Sequence, residues 1–195
     1  MIRVRDLVKR YGDITAVNGV AFDVALGETY GLLGPNGAGK TTTMRILSGL
    51  SPASSGEAEV AGIDTLRHGR EAREVLGVVT QHDGLDSGLT VHQNLALYGF
   101  LAGLSRKRSK TRAHEVLEFF GLQDRAKANV YELSGGMKRR LAIARALMTE
   151  PKVIILDEPT TGLDPQSRNR VWEQLAIMKR SNVAILMSTH YMEEA

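Results

Sequence analysis

A lysine followed by two threonines, Lys40-Thr41-Thr42, closes the run Gly34-Pro35-Asn36-Gly37-Ala38-Gly39, and residues of these types at this spacing can cradle a phosphate. Gly34 to Thr41 satisfies G-x-x-x-x-G-K-[ST], a pattern that carries meaning only between a strand and a helix. The glycines let backbone N–H groups turn inward as an anion-binding nest, and a helix start behind them adds its positive dipole end. In such a loop Lys40 reaches the β- and γ-phosphates of a nucleotide, and the Thr41 hydroxyl is placed to ligate Mg²⁺. The alternative is a glycine-rich turn whose lysine is merely solvated. The lysine, the hydroxyl and both flanking elements together weigh against it.

The elements that must position this loop are legible around it. Residues 28–33 (ETYGLL) predict a buried strand before it, and residues 41–50 predict a helix after it. Three more apolar runs, at 75–80, 153–156 and 183–187, are rich in β-branched residues and fit a parallel sheet buried on both faces. Ligands of an open α/β sheet bind beyond the carboxyl ends of its strands. Beyond these runs lie the phosphate loop, Gln81, the acids Asp157 and Glu158, and Thr189 with His190. Asp157, directly after four apolar residues, is the expected Mg²⁺ anchor through its water shell. Glu158 can polarise an attacking water as general base. His190 can hold that water and the γ-phosphate in line. Adjacent acids in a solvated loop, or one structural histidine, would explain each residue separately. Their shared position at strand ends makes a nucleotide hydrolysis site the better reading.

Ahead of this core, Ile2, Val4 and Leu7 predict one strand and residues 20–24 another, with Tyr11-Gly12-Asp13 turning between them. Between Leu89 and Glu150 the pattern is helical. Thr90-Val91-His92-Gln93 is a capping box, so a helix begins at Thr90. Residues 113–120 set Val116, Leu117 and Phe120 on one face, and Gly121 ends that helix. The helix following Ser134 carries Leu141, Ala144 and Met148 on one face, with Lys138, Arg139 and Arg145 elsewhere. The expected architecture is α/β with a helical insert.

Composition narrows the function classes. With 43% hydrophobic and 24% charged residues the 195-residue chain is an ordinary globular one, a single domain or a domain with a small subdomain. A net charge of +3 is too small to argue for nucleic-acid binding. The chain has no cysteine, which excludes disulfides and thiolate metal sites. Its first residues form no signal-peptide core, and the longest apolar run, 95–104, is too short to span a bilayer. Work at a membrane must therefore go through a partner. His68, His82, His92 and His114 lack metal-ligand spacing and are assigned no role.

One further motif discriminates among nucleotide-binding families. With Leu133-Ser134-Gly135-Gly136-Met137 in addition to the phosphate loop and the acids after residue 156, the whole chain resembles the ATP-binding cassette (ABC) family. Here Ser134 can cap a helix whose Gly135 and Gly136 offer N–H groups to a phosphate. The resemblance implies a P-loop NTPase core with a mainly parallel sheet, an N-terminal antiparallel β subdomain and an inserted helical subdomain. It implies one ABC ATPase domain over 1–195, with core and β subdomain in 1–81 and 151–195 and the helical subdomain in 82–150. It also implies head-to-tail pairing of two copies, so that Ser134, Gly135 and Gly136 act on the nucleotide held by the other copy. Tyr11 resembles the aromatic that stacks on adenine, where the local alternative is a turn aromatic packing on its neighbours. Gln81 resembles the glutamine that senses Mg²⁺ and relays to the membrane partner. Asp164 resembles the acid that crosses the dimer interface, and preceding Pro165 it also reads as a helix N-cap.

Met137 stands where the broad family more often has glutamine, which removes a side-chain contact to ribose. Met137 with Lys138-Arg139-Arg140, Thr160-Thr161-Gly162-Leu163-Asp164-Pro165 and the ending Thr189-His190-Tyr191-Met192-Glu193-Glu194-Ala195 is similar to the antibiotic and lipo-oligosaccharide exporter branch. Family cassettes usually continue beyond this point, so the resemblance implies a shortened chain with impaired folding and turnover. The implied function is the Mg-ATP-hydrolysing subunit of an exporter, at the cytoplasmic face of the membrane through a transmembrane permease, paired with a second ABC subunit and without nucleic acid. Soluble ABC proteins of DNA repair carry long coiled-coil insertions and those of translation carry two cassettes, and neither feature is present. An ATP-binding switch without turnover is opposed by the presence of Lys40, Asp157, Glu158 and His190. The apolar run 95–104 either docks the permease or is buried within its own subdomain. The basic run 106–112 either lies near anionic lipid or is a solvated helix start.

Overall fold

The structure, a computed structural model, describes residues 1–190, so residues 191–195 of the exporter-like ending lie outside the described residues. The chain runs β1 (Ile2–Tyr11), β2 (Ile14–Val24), β3 (Thr29–Leu33), α1 (Lys40–Leu47), β4 (Ser55–Val60), β5 (Ile63–Asp64) and α2 (Gly69–Glu74). It continues through β6 (Leu76–Val79), α3 (Val91–Leu101), α4 (Arg106–Phe119), α5 (Gly135–Ala146), β7 (Val153–Leu156), α6 (Pro165–Arg180) and β8 (Ala184–Thr189). These form two four-stranded sheets, β2-β1-β4-β5 and β3-β8-β7-β6, the first antiparallel and the second parallel throughout.

The N-terminal strands turn at Gly12, as the sequence predicts. Ile2, Val4 and Leu7 all reach the core although Leu7 is out of step with the first two. A bulge at Asp6, whose φ is +46°, resets the alternation and shifts the register between Val4 and Leu7. The parallel sheet meets the expectation from its apolar runs: every residue of β7 and β8 is buried. Alternate side chains divide between two cores. Ile154, Leu156, Ile185 and Met187 face the helices α3 to α6, whereas Val153, Ile155, Ala184 and Leu186 join α1 and the antiparallel sheet. Because the four strands are parallel, their carboxyl ends share one edge.

Several bounds differ from the sequence reading. The first helix starts at Lys40 and stops at Leu47, because Gly49 takes a left-handed φ of +62° behind it. Helix α4 begins at Arg106 rather than near residue 113, capped by the Ser105 hydroxyl, which accepts from Arg108 N. The basic run is thus a helix start, and Arg108 and Arg112 both pair with Glu115 and Glu150. The capping box at Thr90 forms in full, with Gln93 N donating to Thr90 Oγ1 and Thr90 N donating to Gln93 Oε1. Gly121, at φ +61°, follows α4 as predicted. The run 95–104 is buried only in part: Leu95 is fully buried, while Leu97, Phe100 and Leu101 are exposed.

Candidate functional site

The phosphate loop occupies the turn from β3 into α1, with Pro35, Asn36, Gly37 and Ala38 exposed to solvent and Gly34 half-buried. Gly39 is the position where only glycine fits. Its φ is +84°, and a Cβ there would sit 2.2 Å from the carbonyl oxygen of Ala16 on β2. The antiparallel sheet therefore backs the loop directly. The first bond closing α1 runs from Thr43 N to Gly39 O, so the amides of Lys40, Thr41 and Thr42 form the free first turn. Lys40 is buried and donates to Gly34 O and Pro35 O at 2.5 and 3.1 Å, folded over the loop it would serve. A hollow of about 440 Å³ beside the loop is lined by Ala16, Asn36 through Thr42, Gln81 and Glu158. Residues from three strand ends thus meet around one cavity.

Behind the hollow a chain of hydrogen bonds orders the acids. Thr41 Oγ1 donates to Asp157 Oδ2 at 2.9 Å, and Ser188 Oγ donates to Asp157 Oδ1 at 2.6 Å. The same Ser188 oxygen accepts from Glu158 N at 2.9 Å. Asp157, buried, donates its amide to Val79 O across the sheet. Glu158 has a left-handed φ of +50°, a conformation that costs a non-glycine residue about 1 kcal/mol or more. Its carboxylate accepts from Thr161 Oγ1 at 3.3 Å and lies 3.5 Å from His190 Nδ1, an ion pair when the imidazole is protonated. Ser188 is a residue the sequence reading passed over. It lies directly after the apolar run 183–187, and a serine inside a run of buried residues signals a polar partner nearby.

The signature segment sits at the start of α5. Ser134 caps the helix, accepting from Met137 N at 3.3 Å, and Ser134 and Gly135 are exposed. Gly136 is buried: a Cβ there would lie 2.2 Å from Ser167 Oγ and 3.7 Å from Asp164 Oδ2, on the first turn of α6. No residue of α5 lines the hollow beside the phosphate loop. Asp164 is the N-cap of α6, accepting from Ser167 N at 2.9 Å with Pro165 at the first helical position. Hydrogen bonds from Ser167 hold its carboxyl below the ordinary range. Tyr11 ends β1 half-exposed, with Lys9 Nζ 4.8 Å from its ring centre. Gln81 is exposed at the rim of the hollow.

One expectation is corrected on α5. Arg139 is placed on the polar side of the helix by the sequence reading, yet it is 5% exposed, and Arg140 is buried with it. Both guanidinium groups are turned inward onto main-chain carbonyls, Arg140 onto Phe120 O at 2.8 Å. Arginine periodicity alone does not reveal this, since the acceptors come from distant segments.

The donor set fits a magnesium nucleotide. A hard divalent cation takes oxygen ligands and keeps several waters, and Thr41 Oγ1 and Asp157 Oδ2 present a hydroxyl and a carboxylate side by side. Among the described residues no group of three or more His, Cys, Asp or Glu side chains could hold a metal ion.

Comparison with known proteins bears on the family and the fold. The family model described as ABC transporter matches residues 17–161. Over 194 residues the chain is 49% identical to the Nod factor export ATP-binding protein I of Burkholderia orbicola, covering 100% of this chain and 64% of that one. The chain thus spans somewhat less than two thirds of that relative's length. Among solved structures, a dimeric post-hydrolysis state of the ATP-binding cassette MJ0796 bound to ADP and Pi superposes with a TM-score of 0.87 at 28% identity, over 99% of this chain and 89% of that one. CbiO1 of Clostridium perfringens, part of the ABC transporter complex cbiONQ, gives a TM-score of 0.87 at 32% identity, over 97% and 78%.

Proposed function

The chain belongs to the ABC transporter family, and from that premise we propose that it is the ATP-hydrolysing subunit of an exporter, working as a head-to-tail pair beneath a transmembrane permease. The observation that carries the hydrolytic reading is the bonded series Thr41–Asp157–Ser188–Glu158 beside the phosphate loop. It sets a metal-type carboxylate and a base-type carboxylate in fixed relation to one phosphate cradle. The ADP and phosphate held by the MJ0796 cassette support the same substrate class.

The loop amides and Lys40 bind the β- and γ-phosphates, and Lys40 exchanges its bonds to Gly34 O and Pro35 O for phosphate oxygens. Mg²⁺, held by Thr41 and Asp157, would supply charge neutralisation on the phosphate oxygens. Glu158 orients a water and takes its proton as the water oxygen bonds to the γ-phosphorus. The bond from that phosphorus to the β–γ bridging oxygen breaks, and ADP leaves with the electron pair. His190, beside the Glu158 carboxylate, keeps the water and γ-phosphate aligned. Gln81 at the rim of the hollow reports nucleotide to the permease, and Tyr11 supplies an exposed ring for adenine.

Ser134, Gly135 and Gly136 act on the nucleotide of the second copy, and Asp164 lies at the interface between copies. Exposed Ser134 and Gly135, together with a hollow that takes no lining from α5, support action in trans. Among the described residues no helix is long and apolar enough to cross a membrane. Placement at the cytoplasmic face, through a permease, follows from the exporter reading supported by the Nod factor relative. The exposed Leu97, Phe100 and Leu101 on α3 offer the permease an apolar contact. Export is supported by the Nod factor relative.

The test is Glu158→Gln. It should bind Mg-ATP as the wild type does, lose about 100-fold or more in turnover, and accumulate as an ATP-bound dimer in sedimentation. Hydrolysis at the wild-type rate would remove Glu158 from the mechanism.

A further inference from the structure

Outside the residues that touch nucleotide, one buried side chain joins the three segments on which the proposed chemistry depends. Arg139 lies on α5, three residues after Gly136 and so on the same helix face. Its Nε donates to Pro159 O at 3.0 Å. Its Nη1 donates to Thr80 O at 2.8 Å and to Asp83 Oδ1 at 3.3 Å. Its Nη2 donates to Asp157 O at 2.7 Å and to Glu158 O at 2.9 Å. A guanidinium has five N–H donors in a rigid plane, and here all five bonds are made. Four acceptors are main-chain carbonyls, so the group fixes backbone rather than another side chain.

The location of these carbonyls gives the bonds their meaning. Thr80 and Asp83 flank Gln81, and the Thr80 hydroxyl donating to His82 O tightens that turn. Asp157, Glu158 and Pro159 form the turn that carries the metal acid and the base. Glu158 is left-handed in φ, a state that persists only when its surroundings hold it. Ser188 holds its N–H and Arg139 holds its C=O. Arg139 therefore clamps the base from the side of the signature helix, and the same group tethers the glutamine segment.

We propose that Arg139 is a positioning residue: a five-bond brace that keeps Glu158 in its hydrolytic conformation and makes the signature helix, the Asp157–Glu158 turn and the Gln81 segment move as one. The kinetic part rests on the ATPase reading above, whereas the mechanical part does not. A signature helix that shifts when a second copy closes over it would carry both turns with it.

The experiment compares wild type with Arg139→Lys, which keeps the charge but has three donors on a tetrahedral nitrogen, and with Arg139→Met, which keeps the bulk. Turnover of Mg-ATP and amide hydrogen exchange of the nucleotide-free protein are measured in parallel. Arg139→Lys should lower kcat about 10-fold or more while KM stays within about 3-fold, the pattern of lost alignment rather than lost binding. Exchange should accelerate together in residues 80–84 and 157–160 and stay unchanged in β3. If Arg139→Met fails to fold, Arg139→Lys alone decides. Unchanged exchange in both segments, or kcat and nucleotide affinity falling in equal measure with general loss of protection, overturns the brace. Accelerated exchange in a protein whose wild type hydrolyses no ATP would overturn the ATPase reading and leave the brace standing.

Discussion

Replacing Ser188 by alanine removes one oxygen and two of the bonds that order the acids. The hydroxyl gives 2.6 Å to a buried carboxylate oxygen of Asp157 and accepts 2.9 Å from Glu158 N. A hydrogen bond to a charged group contributes about 1.5–3 kcal/mol, and a backbone N–H left without its acceptor costs about 1–3 kcal/mol. The two share one atom and are not additive, so the expected loss is about 2–4 kcal/mol. That is a large fraction of the roughly 5–15 kcal/mol that holds a domain folded. Urea unfolding of the nucleotide-free protein reads the loss directly as a lower midpoint at unchanged slope. Turnover should fall as well, by about 10- to 100-fold, because the left-handed Glu158 loses the bond that holds its N–H, leaving its main chain held through the carbonyl by Arg139 and Thr161 N. Ser188→Thr keeps the hydroxyl but adds a methyl at a site with no exposed surface, so it should recover turnover better than stability. A stability change below about 0.5 kcal/mol with turnover intact would refute the reasoning, since it would mean these bonds are replaced at no cost.

Two substitutions in the phosphate loop separate backbone strain from steric exclusion. Gly37 and Gly39 have nearly the same φ, +83° and +84°, but a Cβ on Gly37 meets nothing within 4 Å whereas one on Gly39 meets Ala16 O at 2.2 Å. Gly37→Ala should cost about 1 kcal/mol in thermal or urea unfolding, and Gly39→Ala at least about 2 kcal/mol with nucleotide affinity down about 10-fold or more by equilibrium titration. Equal effects would show that the β2 contact is immaterial. Acid should also weaken the helical region. Burial, with lesser contributions from His114 and Lys110, pushes His92 below its ordinary 6.5 against a raising bond to Lys110 O. The folded state then prefers neutral His92, so its contribution is present above pH 6.5 and is lost as pH falls below it. His92→Gln should flatten the decline of the urea midpoint between about pH 7 and pH 5, and an unaltered decline would exclude His92 as its source.

The parts of the molecule that were readable in the sequence are those where one local rule decides. Continuous buried strands follow from runs such as Val153-Ile154-Ile155-Leu156, and the α3 start follows from Thr90 and Gln93 acting on each other. Strand β4, Ser-Gly-Glu-Ala-Glu-Val, was not legible because it forms on long-range pairing with β1 and leaves two glutamates facing out. The gathering of the candidate residues Gln81, Asp157, Glu158 and His190 is legible because the strands are parallel and their ends share one edge. Ser188 and Arg139 are not legible, since their hydrogen-bond partners come from segments far away in sequence. Arg139 reaches carbonyls 18 to 59 residues distant, and Ser188 reaches Asp157 across 31. No periodicity encodes such contacts. Gly136 is a mixed case: its place in the signature is legible, while its close approach to Ser167 appears only in the fold.

On the proposed reading, each site is built from the phosphate loop of one copy and the signature of another. Two inactive variants test it. Lys40→Ala disables the cradle, and Gly135→Asp sets a carboxylate at the exposed signature, where a Cβ meets nothing within 4 Å and the chain's own fold is undisturbed. Each alone should hydrolyse almost no Mg-ATP. Mixed in equal amounts, half the pairs are heterodimers with one intact site of two, so turnover should return to about a quarter of the wild-type rate. A mixture as inactive as its components, with heterodimers demonstrably formed, would contradict the composite site.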